Sequence, residues 1–310
     1  MKSFDVIGIG ASTIDILKIV DHFPAGEEVQ KSSGSAIAGG GPVSTAIVTL
    51  TRLGAKVMMI DSIGDDWRGK LILDEFKNEN VNVDLINVNK DYSSPMSVIL
   101  VRKNDGARTI VFSPGSSPDV LPEVVSEELI SQAKFIHING RHLEACSRAC
   151  TIAKSTGTKI SFDGGSHRYK KKLDEIISLS DICAVAKDFA FNYSGMENIN
   201  EAAQSILNAG PEIVIITDGL NGSFLFTKEI KGHHQKAFTI KNTIDTTGCG
   251  DSYHGAFLFG LCKGYDLFES MKIASAVAAI NSTKLGGRAA LPDLKKLNSF
   301  IENESVNKNL

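Results

Sequence analysis

Short β-rich apolar runs alternate with stretches of helical spacing along most of the chain. Phe4–Ile9 is such a run, ending in Gly8 and Gly10. Val43–Leu53 carries its apolar residues at helical intervals and stops at Gly54, a natural helix terminator. Lys56–Asp61 reads as a buried strand, and Asp65–Asn78 as a helix with two acids in its first turn, where they suit the helix dipole. Further strands are predicted at Ala133–Asn139, Ile160–Asp163 and Glu212–Asp218, with helices near 142–155, 170–179 and 199–208. Strands separated by helices pair in parallel, so the pattern predicts a doubly wound α/β sheet with helices on both faces.

Two stretches break this rhythm. Val29–Ala38 and Met96–Phe112 alternate in polarity, the second around an Asn104-Asp105-Gly106 turn of hairpin type, and neither leads into a helix. They are expected either to pair into a small separate sheet or to form edge strands of the main one. From about Gly248 to Leu285 the chain is mostly helical, Gly286-Gly287 interrupts it, and a last helix starts near Pro292. The polar tail 302–310 is expected to fray. No internal repeat or low-complexity tract occurs.

Composition narrows the class of partner. Apolar residues make up 42% and charged residues 22% of the 310, with a formal net charge of −3, which argues against nucleic acid or an anionic membrane surface. Five cysteines form an odd set without a C-x-x-C pair, as in a reducing compartment. Cys146 and Cys150 share a helix face, where core packing is favoured over half a metal site. The amino terminus enters a strand directly, and no run approaches the ~20 apolar residues of a membrane span. A cytoplasmic location is expected.

The most informative segment is Asp245-Thr-Thr-Gly-Cys-Gly-Asp251, just before an apolar helical run. Gly248 and Gly250 flank Cys249, so backbone N–H groups can converge at a helix start and form an anion hole for phosphate. An acid directly after such a hole would repel the anion. It makes sense if Asp251 takes a proton from a hydroxyl as that hydroxyl attacks phosphorus; the alternative is that Asp251 only caps the helix.

Gly39-Gly40-Gly41-Pro42 leads into the helix 43–53, and its bare backbone suits close approach of ligand hydroxyls, or a flexible turn. As a dinucleotide loop, with Asp61 as the ribose acid, it has the wrong spacing. Thr217-Asp-Gly-Leu-Asn-Gly222 ends a core strand in a turn of the kind that touches ligands. His137, Arg141 and His142 bracket another strand end, where Arg141 is a candidate for an anionic or hydroxyl-rich substrate or for a surface ion pair. His233-His234 is read as a solvated polar turn.

Together these segments resemble the ribokinase-like, or PfkB, family of sugar kinases over nearly the whole chain. The resemblance rests on Asp15, Gly40-Gly41, Ile63-Gly-Asp-Asp66, Thr217-x-Gly219-x-x-Gly222 and the run Asp245–Asp251. It implies a three-layer α/β/α domain spanning 1–310 with a β-sheet lid from about 12–38 and 93–113. It implies that Asp251 is the catalytic base beside the hole of Gly248, Cys249 and Gly250. Asp15, Gly40, Gly41 and Thr45 would hold the sugar, with Arg141 as a further contact. Lys187, Thr217, Gly219, Gly222 and Asn281 would line the nucleotide, and Asp245 and Thr247 a monovalent cation such as K⁺. The implied cofactors are ATP and Mg²⁺.

Phe135–Arg141 and Ala186-Lys-Asp188 are similar to ketohexokinase. Gly39–Pro42, Ser117–Pro122 and Leu285–Pro292 are similar to bacterial sulfofructose kinases. A ketohexose or related sugar is therefore the expected substrate, with sulfofructose or a nucleoside as alternatives. Three departures bear on this. Thr45 stands where many members have Asn. Lys187-Asp-Phe-Ala190 replaces an Asn-x-x-Glu motif, which opens the alternative of a non-catalytic sensor. Glu27-Glu28 would disfavour a sulfonate if they faced the pocket. An exposed lid edge would favour a homodimer by strand pairing.

Overall fold

The computed structural model describes residues 2–307. A nine-stranded sheet runs in the spatial order Lys231–Gln235, Ser223–Phe226, Ile213–Thr217, Ile182–Ala186, Lys159–Gly164, Ala133–Ile138, Phe4–Ile9, Val57–Gly64 and Asn82–Asn89. The seven strands from Ile213–Thr217 to Asn82–Asn89 are parallel, and the first two are antiparallel additions at one edge.

Successive strand residues face opposite layers, as the period of a strand requires. Val6, Met59, Ala184 and Ile215 belong to one apolar core, while Ile7, Met58, Cys183 and Val214 belong to the other. The first core is closed by the helices Pro42–Arg52, Trp67–Asn78, Cys249–Cys262, Leu267–Asn281 and Leu294–Asn307. Glu127–Ser131, Leu143–Thr156, Asp174–Leu179, Lys187–Ser194 and Ile199–Ala209 close the second. Both cores bury large side chains such as Phe76, Phe162 and Phe257, each stabilising by about 1.5–3 kcal/mol. Cys146, Cys150 and Cys183 are buried free thiols of the second core.

The alternating stretches form a separate four-stranded sheet in the order Gly34–Gly40, Thr13–Val20, Met96–Arg102 and Arg108–Ser113. Its centre is Thr13–Val20, which pairs antiparallel with Gly34–Gly40 and parallel with Met96–Arg102. The expected start at Val29 is too early, since Val29 is fully exposed and precedes the strand. The turn at Asp105-Gly106 is as the sequence predicts, with Gly106 at φ +68°.

Four strands and one helix depart from the sequence reading. Asn82–Asn89 carries polar residues at half of its positions and pairs only along one edge. Ile182–Ala186 directly follows a helix and is only five residues long. Ser223–Phe226 and Lys231–Gln235 form a hairpin, so His233 and His234 lie in an edge strand, where His234 stacks on Phe224 at 4.4 Å. Lys187–Ser194 is helical. Trp67–Asn78 begins later than predicted: Asp66 is its N-cap, accepting from the Gly69 N–H, and its first turn holds no acid. The helix Leu294–Asn307 continues through much of the tail expected to fray, and 308–310 lie outside the described residues.

The helix Cys249–Cys262 is apolar on all sides because it packs between the sheet, Leu267–Asn281 and Pro42–Arg52, with every residue from Ser252 to Gly260 buried. Gly255 is the closest point of that packing. A Cβ there would collide with the carbonyl oxygen of Ala46. Gly255→Ala is expected to lower stability by about 1–3 kcal/mol in urea denaturation, and an unchanged midpoint would contradict this contact.

Candidate active site

The carboxyl ends of the parallel strands lie along one rim, and the predicted site residues are distributed along it in spatial order. Thr217 and Ala186 are register partners at the end of adjacent strands, so the turn after Thr217 and the start of the helix at Lys187 lie together. Lys187 Nζ donates to Asp218 Oδ2 at 3.0 Å. Gly219 and Gly222 have φ of +53° and +90°, backbone that glycine adopts without strain, which folds the turn back so that Asp218 N donates to Gly222 O. Beside this turn a cavity of about 560 Å³ is lined by Asp218, Leu220, Asn221, Phe224, His234 and Lys236, among others.

Next along the rim is the anion hole. Gly248 caps the helix Cys249–Cys262 in the left-handed region, φ +71°, and its backbone packs against Gly287 so closely that a Cβ would come within 2.7 Å of the Gly287 carbonyl oxygen. The N–H groups of Gly250 and Asp251 have no acceptor among the described residues, and a Cβ on Gly250 would meet nothing within 4 Å. Two free donors at an open helix start suit a phosphate. The loop before it is braced by Asp245, whose Oδ1 accepts from Thr247 N and Oδ2 from Gly286 N, each at 2.8 Å.

Asp251 is half-buried at this point. Desolvation and then the Asp163 carboxylate hold its acidity weaker than that of an ordinary carboxyl, against the opposing charges of Arg168, His254 and Arg108. A base shifted in this direction accepts a proton more readily. Asp251 also raises the pKa of Asp15, whose shift comes chiefly from burial and is opposed by Thr13, Arg288 and Ser97. The two carboxylates are therefore near enough to repel one another.

Asp15 lies on the small sheet, in a cross-strand row with Ala38, Ser97 and Phe112. A Cβ on Gly40 would collide with the Asp15 carboxylate, and one on Gly41 (φ +94°) with the Ala11 carbonyl. The bare backbone at Gly40-Gly41 thus makes room for the protein's own acid and chain, not only for a ligand as the sequence suggested.

Thr45 and Asn281 sit differently from the expectation. Thr45 is buried, and its hydroxyl accepts from Arg288 Nε at 3.1 Å; the same guanidinium donates to Gly40 O and Ser44 Oγ and pairs with Glu75. Its hydroxyl accepts from that network and keeps its own proton as a donor. Asn281 is fully buried and donates to Gly287 O at 2.8 Å, so it braces the turn behind the anion hole. Arg141 is half-exposed and 3.5 Å from Asp119, and its Nε is buried without a partner. Asp61 accepts from Ser12 N and Ser62 N and contacts His142, a structural role.

The structure adds residues that no motif marked, apart from His137, which the sequence placed at a strand end. Arg108 shares the Asp15 face of the small sheet and donates to Thr246 Oγ1 at 3.1 Å, while Thr246 N and Oγ1 both donate to Gly106 O. The hairpin tip is thereby tied to the anion-hole loop. Arg168 stands on a loop held by Asp188, which accepts from His167 N. Under Asp251 lie His254, Asp163 and His137, all buried. A basic residue in a hairpin and a histidine inside an apolar helix carry no sequence signal of their own; only the run Asp245–Asp251, three residues before His254, could have drawn attention there.

The chain matches the model described as pfkB family carbohydrate kinase over residues 3–294. It belongs to that family. A 5-dehydro-2-deoxygluconokinase of Clostridium perfringens is 28% identical to this pfkB kinase over 323 residues, covering 98% of this chain and 94% of the relative. A ribokinase of Haemophilus influenzae is 30% identical over 302 residues, covering 95% and 97%. The structure of Arabidopsis thaliana ribokinase complexed with ribose and ATP has the same fold, with a TM-score of 0.82 at 20% identity over 96% of this chain and 99% of that one. This pfkB kinase is a sugar kinase, a phosphotransferase acting on a sugar hydroxyl. No helix among the described residues is long and apolar enough to cross a membrane.

The raised pKa of Asp251 has a kinetic consequence. A general base must be deprotonated to act, so with Asp251 in that proposed role kcat/KM should fall toward acid through an apparent pKa above the ordinary carboxylate range. Arg108→Met removes a charge that favours the carboxylate and should move this limb to higher pH. A limb that stays in place would show that Arg108 does not act on Asp251.

Proposed function

We propose that this kinase transfers the γ-phosphoryl group of ATP to a primary hydroxyl of a ketohexose or a related sugar, with Asp251 as the base. The supporting observation is the placement of a carboxylate of raised pKa at an open helix start, in electrostatic contact with Asp15 across the cleft. When bound, Mg²⁺·ATP supplies the phosphoryl group and neutralises its charge. Asp251 takes the hydroxyl proton, and the N–H groups of Gly250 and Asp251 receive charge developing on the phosphoryl oxygens. Asp15 orients the sugar, and the small sheet serves as the lid above it. Lys187 and the turn Thr217–Gly222 lie along the nucleotide, toward the cavity at Phe224 and Lys236.

Mg²⁺ would be held chiefly by the phosphates and water, which suits a rim where the free N–H groups of Gly250 and Asp251 receive phosphate and Lys187 pairs with Asp218. Where the Asn-x-x-Glu motif is missing, Asp188 supports the loop that carries Arg168, a cation acting on Asp251. That arrangement favours catalysis over a sensor. For K⁺, the buried Thr247 Oγ1 without a partner, beside Asp245, supports a site between the 245–247 and 286–287 loops.

A keto sugar acid is a second reading of the acceptor. The Clostridium perfringens relative is by its name a kinase of one, and Arg108 and Arg141 put two cations at the cleft. The objection from Glu28 weakens, because this side chain pairs with His22 and Gln30 in its own loop. A coupled ADP-release screen over ketoses, aldoses, keto sugar acids and nucleosides should give turnover with a ketohexose or keto acid. Asp251→Asn is expected to lower kcat by about 10²–10⁴-fold with ligand binding retained, and near-normal turnover would exclude Asp251 as the base.

We also propose that two copies associate through the small sheets. Ile37, Ile16, Val98 and Val111 form one cross-strand row on the face opposite Asp15, and Ile37 and Val111 are 62% and 68% exposed. Analytical ultracentrifugation should show a dimer, and Val111→Lys should shift it toward monomer. A wild-type monomer at micromolar concentration would refute this assembly.

A further inference from the structure

Directly behind Asp251, the proposed base, lies a buried polar cluster whose charges act on that carboxylate but whose unpaired atoms phosphoryl transfer, as proposed above, leaves unused. His137 comes from the strand Ala133–Ile138, Asp163 from the neighbouring strand Lys159–Gly164, and His254 from the catalytic helix, three residues after Asp251. Their exposures are 0%, 2% and 4%. Among the described residues, each offers one ligand atom within 4.8 Å of the other two.

The cluster has more polar atoms than partners. His137 Nε2, both oxygens of Asp163 and both ring nitrogens of His254 are buried without a hydrogen bond. His254 Nδ1 and Asp163 Oδ1 are 3.3 Å apart, close enough for an ion pair but not aligned as a hydrogen bond. Buried polar groups in folded proteins almost always have partners, and five orphaned atoms on three adjoining residues, one from each within 4.8 Å of the others, call for a bound species.

We propose that His137, Asp163 and His254 bind a divalent first-row transition-metal ion, with Zn²⁺ the favoured species. Two imidazoles and one carboxylate form the three-ligand set of a zinc-class site that keeps its fourth position open. Ligands about 2.0–2.2 Å from a tetrahedral ion are about 3.3 Å from one another, the separation of His254 Nδ1 and Asp163 Oδ1. The outer nitrogen of His137 also fits this role. Its Nδ1 lies 3.1 Å from Ser161 Oγ, and donation to that hydroxyl leaves the Nε2 lone pair facing the cluster. Mg²⁺ prefers oxygen ligands and water, so this centre is separate from the nucleotide's metal. An ion here would fasten the catalytic helix to the ends of two core strands one turn beyond Asp251.

The test uses untagged full-length enzyme dialysed into buffer containing Mg²⁺ as the only added divalent ion. Elemental analysis should find about one equivalent of transition metal per chain, and chelator-treated enzyme given Co²⁺ should show the visible absorption bands of a tetrahedral centre. Asp163→Asn and His254→Gln should each lose both signals, with His137→Gln as the milder variant if either misfolds by circular dichroism. Wild-type enzyme that is folded, retains less than about one-tenth of an equivalent and gives no Co²⁺ bands would overturn the proposal and leave His254 and Asp163 as an ion pair only. Undiminished metal content in all three folded variants would equally overturn it.

Discussion

The free N–H groups of Gly250 and Asp251 can serve as an anion hole only because a buried carboxylate holds the loop behind them. Asp245 spans two chain segments, accepting from Thr247 on its own loop and from Gly286 across the gap. Asn281 adds a bond to Gly287 O, and Gly248 approaches the Gly287 carbonyl so closely that it tolerates no added bulk without a shift. The helix start is thereby fixed before any ligand arrives. Donors aimed in advance stabilise developing charge without reorganising, which is the main source of rate in phosphoryl transfer. Most of the site can be read as support for this one rigid point.

The same loop is tied to the small sheet. Gly106 O accepts two bonds from Thr246, and Arg108 reaches the Thr246 hydroxyl. Sheet and hole therefore share a contact, and movement of one is felt by the other. The charges around Asp251 follow a matching logic. Burial and Asp163 weaken its acidity, and Arg168, His254 and Arg108 limit that shift so that an ionised base remains accessible. On the other side of the shelf, Arg288 gathers Glu75, Thr45, Ser44 and Gly40, which fixes the floor of the cleft beneath Asp15.

Some of this architecture was legible from local pattern. The strands Phe4–Ile9 and Ala133–Ile138 and the helices Pro42–Arg52, Leu143–Thr156 and Ile199–Ala209 carry enough periodic apolar residues to declare themselves. Ile182–Ala186 and Lys187–Ser194 did not, because they are short and sit back to back, so neither completes a readable period. Asn82–Asn89 is a strand because Val57–Gly64 offers it an edge, a tertiary cause with no local signature.

For the site, the chain order Asp245–Asp251 determined by itself that an anion hole and an acid share a helix start, since glycines and a following apolar helix dictate that geometry locally. What the acid does was decided in three dimensions. Asp163 and Arg168 are distant in sequence, yet they set the protonation of Asp251 through burial and charge. Thr45 and Asn281 also bond to Arg288 and Gly287 inside the protein, because hydrogen-bond partners are assigned by packing and not by motif. Gly40 is bare to admit Asp15 from another strand, a steric demand that the glycine alone does not reveal.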